Sequence, residues 1–322
     1  MTTPESPAAL AIVGPTASGK TALSIEVARR LDGEVVSMDS RQVYRRMDVG
    51  TAKATAEQRA AVPHHGLDLV EPSERFSAGK FARAAREWIG EIRGRGRVPL
   101  LVGGTGFFLR ALTDPIFREP HLEPAARAAL AARLDAMPEP ELHRWLRELD
   151  PPTAERLSAW GGRQRLMRAL ELPLLTGRTM TWWHAHSPAE APAVPVLVFA
   201  LEVPRAQLRA AIDGRVTKMA EHGLVDEVRG LVDAGFCEGD PGMNATGYIE
   251  LLPYLRGERT LDEALDLVRA NTRAYAKRQE TWFRHKLPAD TVRLDGTRAA
   301  AELADEIAAR WRTSAGSASA EG

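Results

Sequence analysis

The chain has a single cysteine, Cys237, in 322 residues. An internal disulfide is therefore excluded, and so is a cysteine-based metal site. That usage suits a reducing cytosol. Long hydrophobic runs are also missing, and none approaches the length that spans a bilayer. The first residues, Met1 to Pro7, lack the basic-then-apolar order of a secretion signal. A cytoplasmic protein with no membrane partner is the expectation. An excess of one charge is absent too, with 43 Lys and Arg against 43 Asp and Glu. Net charge thus gives no argument for a polyanionic partner, and local patches must decide. No solenoid-type repeat is visible. No oligomer signal is visible either, so a monomer is expected.

What is present is sharp. Gly14-Pro15-Thr16-Ala17-Ser18-Gly19-Lys20-Thr21 follows the apolar run Leu10–Val13 and precedes a helical pattern over Lys20–Leu31. Strand, glycine loop and helix in that order form the context of a diphosphate- or nucleotide-binding cradle. Backbone N–H groups and the helix N-terminus converge on one spot and favour a polyanion there. Lys20 adds a full charge, and Thr21 offers a hydroxyl to Mg2+. A tight turn with no ligand is the bland alternative.

Further strands are predicted at Glu34–Met38, Leu67–Val70, Val98–Val102, Pro195–Leu201 and Val292–Leu294, with helices at Ser77–Arg93, Arg205–Glu221 and up to about Arg312. Alternation of this kind predicts an α/β fold, a parallel sheet flanked by helices on both faces. Between Glu123 and His186 only helical periodicity occurs. This predicts an all-helical insertion over 115–194 in a discontinuous core, 1–114 and 195–312. The Ser/Ala/Gly-rich end, 313–322, reads as a disordered tail.

Ligands of such sheets bind beyond the carboxyl ends of the strands. Asp39 stands at one such end. It is either a general base or magnesium-associated group, or an N-cap or turn aspartate. Gly103-Gly104-Thr105-Gly106 stands at another, where Thr105 can donate one hydrogen bond. No aspartate ends that strand, which argues against ATP or GTP hydrolysis. Arg215 is either a phosphate-directed arginine or part of a solvated helical face. Arg269 to Lys286 is strongly basic, with Tyr275, Trp282 and Phe283 interleaved. Such a helix can track phosphates and stack bases, or can be amphipathic with its aromatics in the core. A second basic cluster is Arg163-Gln164-Arg165-Leu166-Met167-Arg168. His64-His65, His184 and His186 have no carboxylate or cysteine at ligand spacing and are read as non-metal. Trp182-Trp183 is read as packing.

Taken together, several strings resemble the tRNA dimethylallyltransferases, also called tRNA isopentenyltransferases. They are the glycine loop 14–21, Asp-Ser-x-Gln-Val-Tyr at 39–44, Met-Asp-Val-Gly-Thr-Ala-Lys at 47–53, Val-Gly-Gly-Thr-Gly at 102–106, Arg-Ala-Leu-Glu at 168–171, Gly-Tyr at 247–248 and Ala-Lys-Arg-Gln-x-Thr-Trp-Phe-Arg at 276–284. They span nearly the whole chain in the family's order, and the 47–53 and 276–284 blocks are the most specific. Departures are Ala54 for the usual Pro, Arg45-Arg46 for Lys/Arg-Gly and Gly161-Gly162 for Asn-Asp.

The resemblance implies a core like that of P-loop kinases, with a helical insertion that grips the anticodon arm. It implies transfer of a dimethylallyl group from dimethylallyl diphosphate to N6 of adenosine 37 in tRNA, with Mg2+ as cofactor. It makes Asp39 the base and Thr105 and Arg215 partners of the leaving diphosphate. The segments matching those that meet the anticodon stem-loop carry Asp39, Ser40, Arg41 and Gln42; Arg163, Gln164, Arg165, Leu166 and Met167; Asn244, Gly247 and Tyr248; and Lys277, Arg278, Gln279, Trp282 and Arg284. Rival readings are a small-molecule kinase, a prenyltransferase acting on free AMP or ATP, and a non-enzymatic RNA-binding or nucleotide-switch protein.

Overall fold

The structure, a computed structural model, describes residues 6–114, 117, 120–160, 162–189 and 191–316. It falls into two compact units, Met1–Asp114 with Ala193–Gly322, and Pro115–Pro192.

The larger unit begins with β1 (Ala9–Val13), α1 (Lys20–Leu31), β2 (Gly33–Ser37), α2 (Ala56–Ala61), β3 (His64–His65), α3 (Ala78–Gly94), β4 (Val98–Gly103) and α4 (Gly106–Thr113). The smaller unit holds α5 (Pro124–Asp135), α6 (Glu139–Leu149), α7 (Pro151–Trp160), α8 (Arg163–Thr176) and α9 (Met180–His186). The chain returns through β5 (Val196–Glu202), α10 (Arg205–Glu221), α11 (Leu224–Asp233), α12 (Leu252–Leu255), α13 (Leu261–Lys286), β6 (Val292–Asp295) and α14 (Ala300–Gly316).

The six strands form one parallel sheet in the order β3-β2-β4-β1-β5-β6. Parallel strands need helical crossovers, so both faces are covered and the strands read as continuous apolar runs. Every residue of β1 is buried. On one face α1 lies beside α14, with Leu23 and Val27 in a cluster with Leu303, Ile307 and Trp311. On the other, Phe81 of α3 stacks on Phe108 of α4 at 4.2 Å. The hydroxyl of Ser77 accepts from the Lys80 N–H and starts α3.

Two expectations are corrected. Leu67–Val70 is not a sheet strand. Gly66 and Asp68 have φ of 81° and 56°, which breaks an extended run. The Leu69 and Val70 N–H groups instead donate to the Val43 carbonyl, and the strand is the pair His64–His65. The tail expected from Thr313 is helical through Gly316; 317–322 lie outside the described residues, as do Pro115 and Gly161.

A carboxylate hub supports the loop after β2. Glu227 accepts from the N–H groups of Asp48, Val49 and Gly50 at 2.7–3.0 Å and from the Tyr248 hydroxyl at 2.6 Å. Lys53, itself buried, donates to the Tyr44 carbonyl, Asp48 and Asp68. The 47–53 block is therefore a cross-braced loop, with nearly every polar group committed.

In the smaller unit, Leu166 is fully buried with Leu142, Leu146 and Leu170. Arg163 donates to the Leu134 and Asp135 carbonyls, closing the end of α5. Leu166 has no surface to offer RNA, which corrects its assignment, whereas the Arg163 side chain stays 29% exposed. Met167 packs against the same cluster, whereas Gln164 and Arg165 are exposed. Leu166→Ala should cost about 2–5 kcal/mol of stability, read by chemical denaturation. A change under about 0.5 kcal/mol would return Leu166 to the surface.

Candidate active site

The C-terminal ends of β1, β2 and β4 open on a pocket of about 320 Å3, lined by Thr16 to Thr21, Asp39, Gly103, Gly104, Arg215, Tyr275 and Gln279 among others. Three of these segments, far apart in sequence, converge because the sheet is parallel and its loops leave one edge, and helices α10 and α13 bring Arg215, Tyr275 and Gln279 to them.

Lys20 is the charge at the centre. Its ammonium donates to the Pro15 carbonyl at 2.6 Å and lies 3.5 Å from the Ser18 hydroxyl. Burial, then the nearby Arg215 guanidinium, pull its pKa down to about 7, against a smaller upward pull from Asp39. Burial also lowers the pKa of Arg215, with Asp39 opposing. Two cations held in a desolvated pocket are an unfavourable arrangement that a bound polyanion relieves.

Asp39 carries both characters left open by its position. Its Oδ1 accepts from the Arg41 N–H at 2.8 Å, a turn contact. Among the described residues its other oxygen accepts no hydrogen bond, and the side chain lines the pocket. Thr105 stands behind it. Its hydroxyl accepts from the Ser40 N–H at 3.1 Å, and its own N–H donates to the Met38 carbonyl. The loop after β2 is thereby tied to the glycine loop after β4. Tyr275 shares a hydrogen bond with Thr105, and its phenol is pushed up to about 12 by burial and then by Asp39.

Gln279 is the largest surprise. Its Oε1 accepts from the Thr16 N–H at 2.8 Å, and its Nε2 donates to the Gly104 carbonyl at 2.9 Å. It is 7% exposed. One amide therefore pins the phosphate loop to the loop after β4. A Cβ on Gly104 would lie 2.2 Å from Nε2 and one on Gly103 would lie 2.1 Å from the Met38 carbonyl oxygen, so both positions need glycine.

These contacts engage several of the residues assigned to RNA. Gln279 is a strut. Gln42 is another, since it accepts from the Ser37 hydroxyl and donates to the Thr51 and Ala52 carbonyls. Tyr248 is fully buried against Gly50 and bonded to Glu227. Gly247 is buried, its N–H donating to Glu250. The half-exposed Trp282 covers Gly106 and sits 6.0 Å from Phe107. Lys277, Arg278 and Arg284 are exposed on α13, and Asn244 is exposed while accepting from Arg41 at 2.9 Å. His65 bonds Glu34 at 2.7 Å. Burial would raise the Glu34 carboxyl, but hydrogen bonds from Arg95, His65 and Arg97 outweigh it and hold it at about 2.

Thr21 is exposed at the mouth of the loop. Among the described residues no group of three or more His, Cys, Asp or Glu side chains is placed to hold a metal. A magnesium ion here would take the Thr21 hydroxyl and draw its other ligands from phosphate oxygens and water, as this ion commonly does.

A phosphate cradle beside a carboxylate with one unshared oxygen suits group transfer from a diphosphate. Comparison with known proteins agrees. The family model described as IPP transferase matches residues 42–286, and one described as isopentenyl transferase matches 7–62. The tRNA dimethylallyltransferase of Carboxydothermus hydrogenoformans is 42% identical over 85% of this chain and 88% of its own. That of Anaeromyxobacter dehalogenans is 46% identical over 85% and 89%. The crystal structure of the full-length tRNA isopentenylpyrophosphate transferase of Bacillus halodurans superposes with a TM-score of 0.67, at 39% identity over 95% of this chain and 97% of that one. A eukaryotic dimethylallyltransferase acting on tRNA gives 0.76 at 27% identity, over 97% and 77%. The chain belongs to the IPP transferase family.

Two outcomes follow from the geometry. Gln279→Ala leaves the Thr16 N–H and Gly104 carbonyl unpaired, so the Kd for an organic diphosphate should rise about ten-fold, or ~1.4 kcal/mol. An unchanged Kd would make the strut irrelevant. Lys20 is half neutral near pH 7 and mostly neutral at pH 8, and a bound polyanion restores its proton. Titration calorimetry with an unreactive alkyl diphosphate should show uptake approaching one proton at pH 8 that Lys20→Arg abolishes. Lys20 should contribute little uptake at pH 6. Equal proton counts in both proteins at pH 8 would refute the depressed pKa.

Proposed function

We propose that this chain transfers a dimethylallyl group from dimethylallyl diphosphate to N6 of adenosine 37 in tRNA, releasing diphosphate. The observation that carries the reading is the shared pocket, in which Asp39 lines the same cavity as the phosphate loop, Lys20 and Arg215. A kinase-like cradle alone would fit many reactions; a carboxylate with an unshared oxygen beside it supplies the base that an amine acceptor needs. We read the protein as cytoplasmic and monomeric. Among the described residues no helix is long and apolar enough to cross a membrane.

The adenine amine is a poor nucleophile, because its lone pair is delocalised into the ring. The N6–C1 bond forms as the C1–oxygen bond to diphosphate breaks. The N6 proton passes to Asp39, and the electron pair of the broken bond leaves with the diphosphate. The loop N–H groups, Lys20 and Arg215 stabilise charge on that leaving group. Losing one such donor typically costs about 10²- to 10³-fold in rate. A magnesium ion held by Thr21 and the diphosphate would supply further charge neutralisation. Thr105 and Tyr275 hold the loop that carries Asp39. The target adenosine leaves its stack to reach the pocket, at a cost of a few kcal/mol.

Labelled dimethylallyl diphosphate should therefore pass its label to tRNA and not to AMP or ATP. Label on a free nucleotide, or consumption of the γ-phosphate of ATP, would replace this reading. Asp39→Asn should lower turnover by roughly 10²- to 10⁴-fold, with RNA binding retained. Unaltered turnover would remove Asp39 as the base.

A further inference from the structure

A second pocket, of about 290 Å3, lies between α10 and α13 and outside the machinery described above. Arg205 and Arg209 stand one turn apart on α10; Arg273 and Lys277 stand one turn apart on α13. Its floor is apolar, with Leu208 and Ile212 buried. Arg205, Arg209 and Lys277 are exposed, and none of these three side chains has a hydrogen bond or ion pair among the described residues. Arg273 is neutralised by Asp213 at 2.5 Å, and Glu280 is the one carboxylate lining the groove. Like charges at i and i+4 destabilise a helix. Here one such row, Arg205 and Arg209, shares a groove with the exposed Lys277, in a chain whose overall charge is zero.

We propose that this groove seats the sugar-phosphate backbone of the RNA acceptor, with Arg205 and Arg209 each meeting a phosphate. The inference rests on the reading that the acceptor is RNA. A linear polyanion fits better than a small one, for two reasons. The groove's cations are strung along two helices, whereas the cations of the first pocket gather round a glycine loop. The basic row also continues past the groove to the exposed Arg284, two turns beyond Lys277 on the same helix. Contacts of this kind position an RNA and add affinity without reading its sequence.

The test is the salt dependence of binding. An anticodon stem-loop RNA is titrated with the full-length protein and with Arg205→Gln/Arg209→Gln across 50 to 250 mM KCl, roughly the range in which such contacts weaken most. The double variant should bind more weakly at low salt. Its slope of log K against log salt should shrink by about 0.7 to 0.9 for each lost contact. The KM for the diphosphate donor should not move. An unchanged slope overturns the proposal, and so does an unchanged RNA affinity with a raised donor KM, which would make the groove a small-anion site. Binding is read without turnover, so failure of prenyl transfer in the unaltered protein would count against the proposed reaction and not against the groove.

Discussion

The site depends on one side-chain amide. Gln279 accepts from Thr16 and donates to Gly104, and so fixes the distance between the phosphate loop and the loop after β4. Loops that leave a parallel sheet are held by the strands at one end only; their tips need a second anchor to keep their N–H groups aimed at one point. A buried amide serves well because both its donor and its acceptor are used, so that neither loop can shift without leaving a polar group unpaired. The two glycines at this junction leave room for the contact and for nothing larger.

Other braces extend the same logic outward. Thr105 ties the loop of Asp39 to the glycine loop, Gln42 ties it to the Thr51 and Ala52 carbonyls, and Glu227 gathers three successive N–H groups of the adjoining turn. The result is a rigid rim around two cations whose charge is costly when desolvated. Preorganisation of that kind places the expense in folding, so that little rearrangement remains when charge builds on a leaving group.

The sheet was legible because strands buried on both faces must be apolar along their length, as Leu10–Val13 and Val98–Val102 are. β3 was not, because two histidines carry no such signal and the nearby apolar run is broken by Asp68 in a left-handed conformation. The glycine loop, Asp39 and Arg215 were legible as types at strand ends and in one helix, and the structure brings them to one cavity. The struts were not. A segment that matches a family's RNA-contacting stretch says nothing about which way each side chain points. Leu166, Tyr248 and Gln279 are buried, and Gln42 is half-buried at the pocket wall. Helical spacing held part of the answer. Tyr275 and Gln279, four apart, share a face, while Lys277 and Arg278 fall on others. Glu227 left no trace, since its three backbone partners lie 177 to 179 residues away.

The inward and outward faces of α13 make the helix more than a scaffold. Tyr275 and Gln279 hold the loops that carry Asp39 and the phosphate cradle, and Lys277, Arg278 and Arg284 stand in solvent two residues or fewer from an inward neighbour, Gln279 or the buried Phe283. A helix is stiff over this distance, so an anion drawn to the outer face bears on the same rigid element that aligns the inner one. One helix thus carries both the struts of the phosphate site and a row of exposed cations.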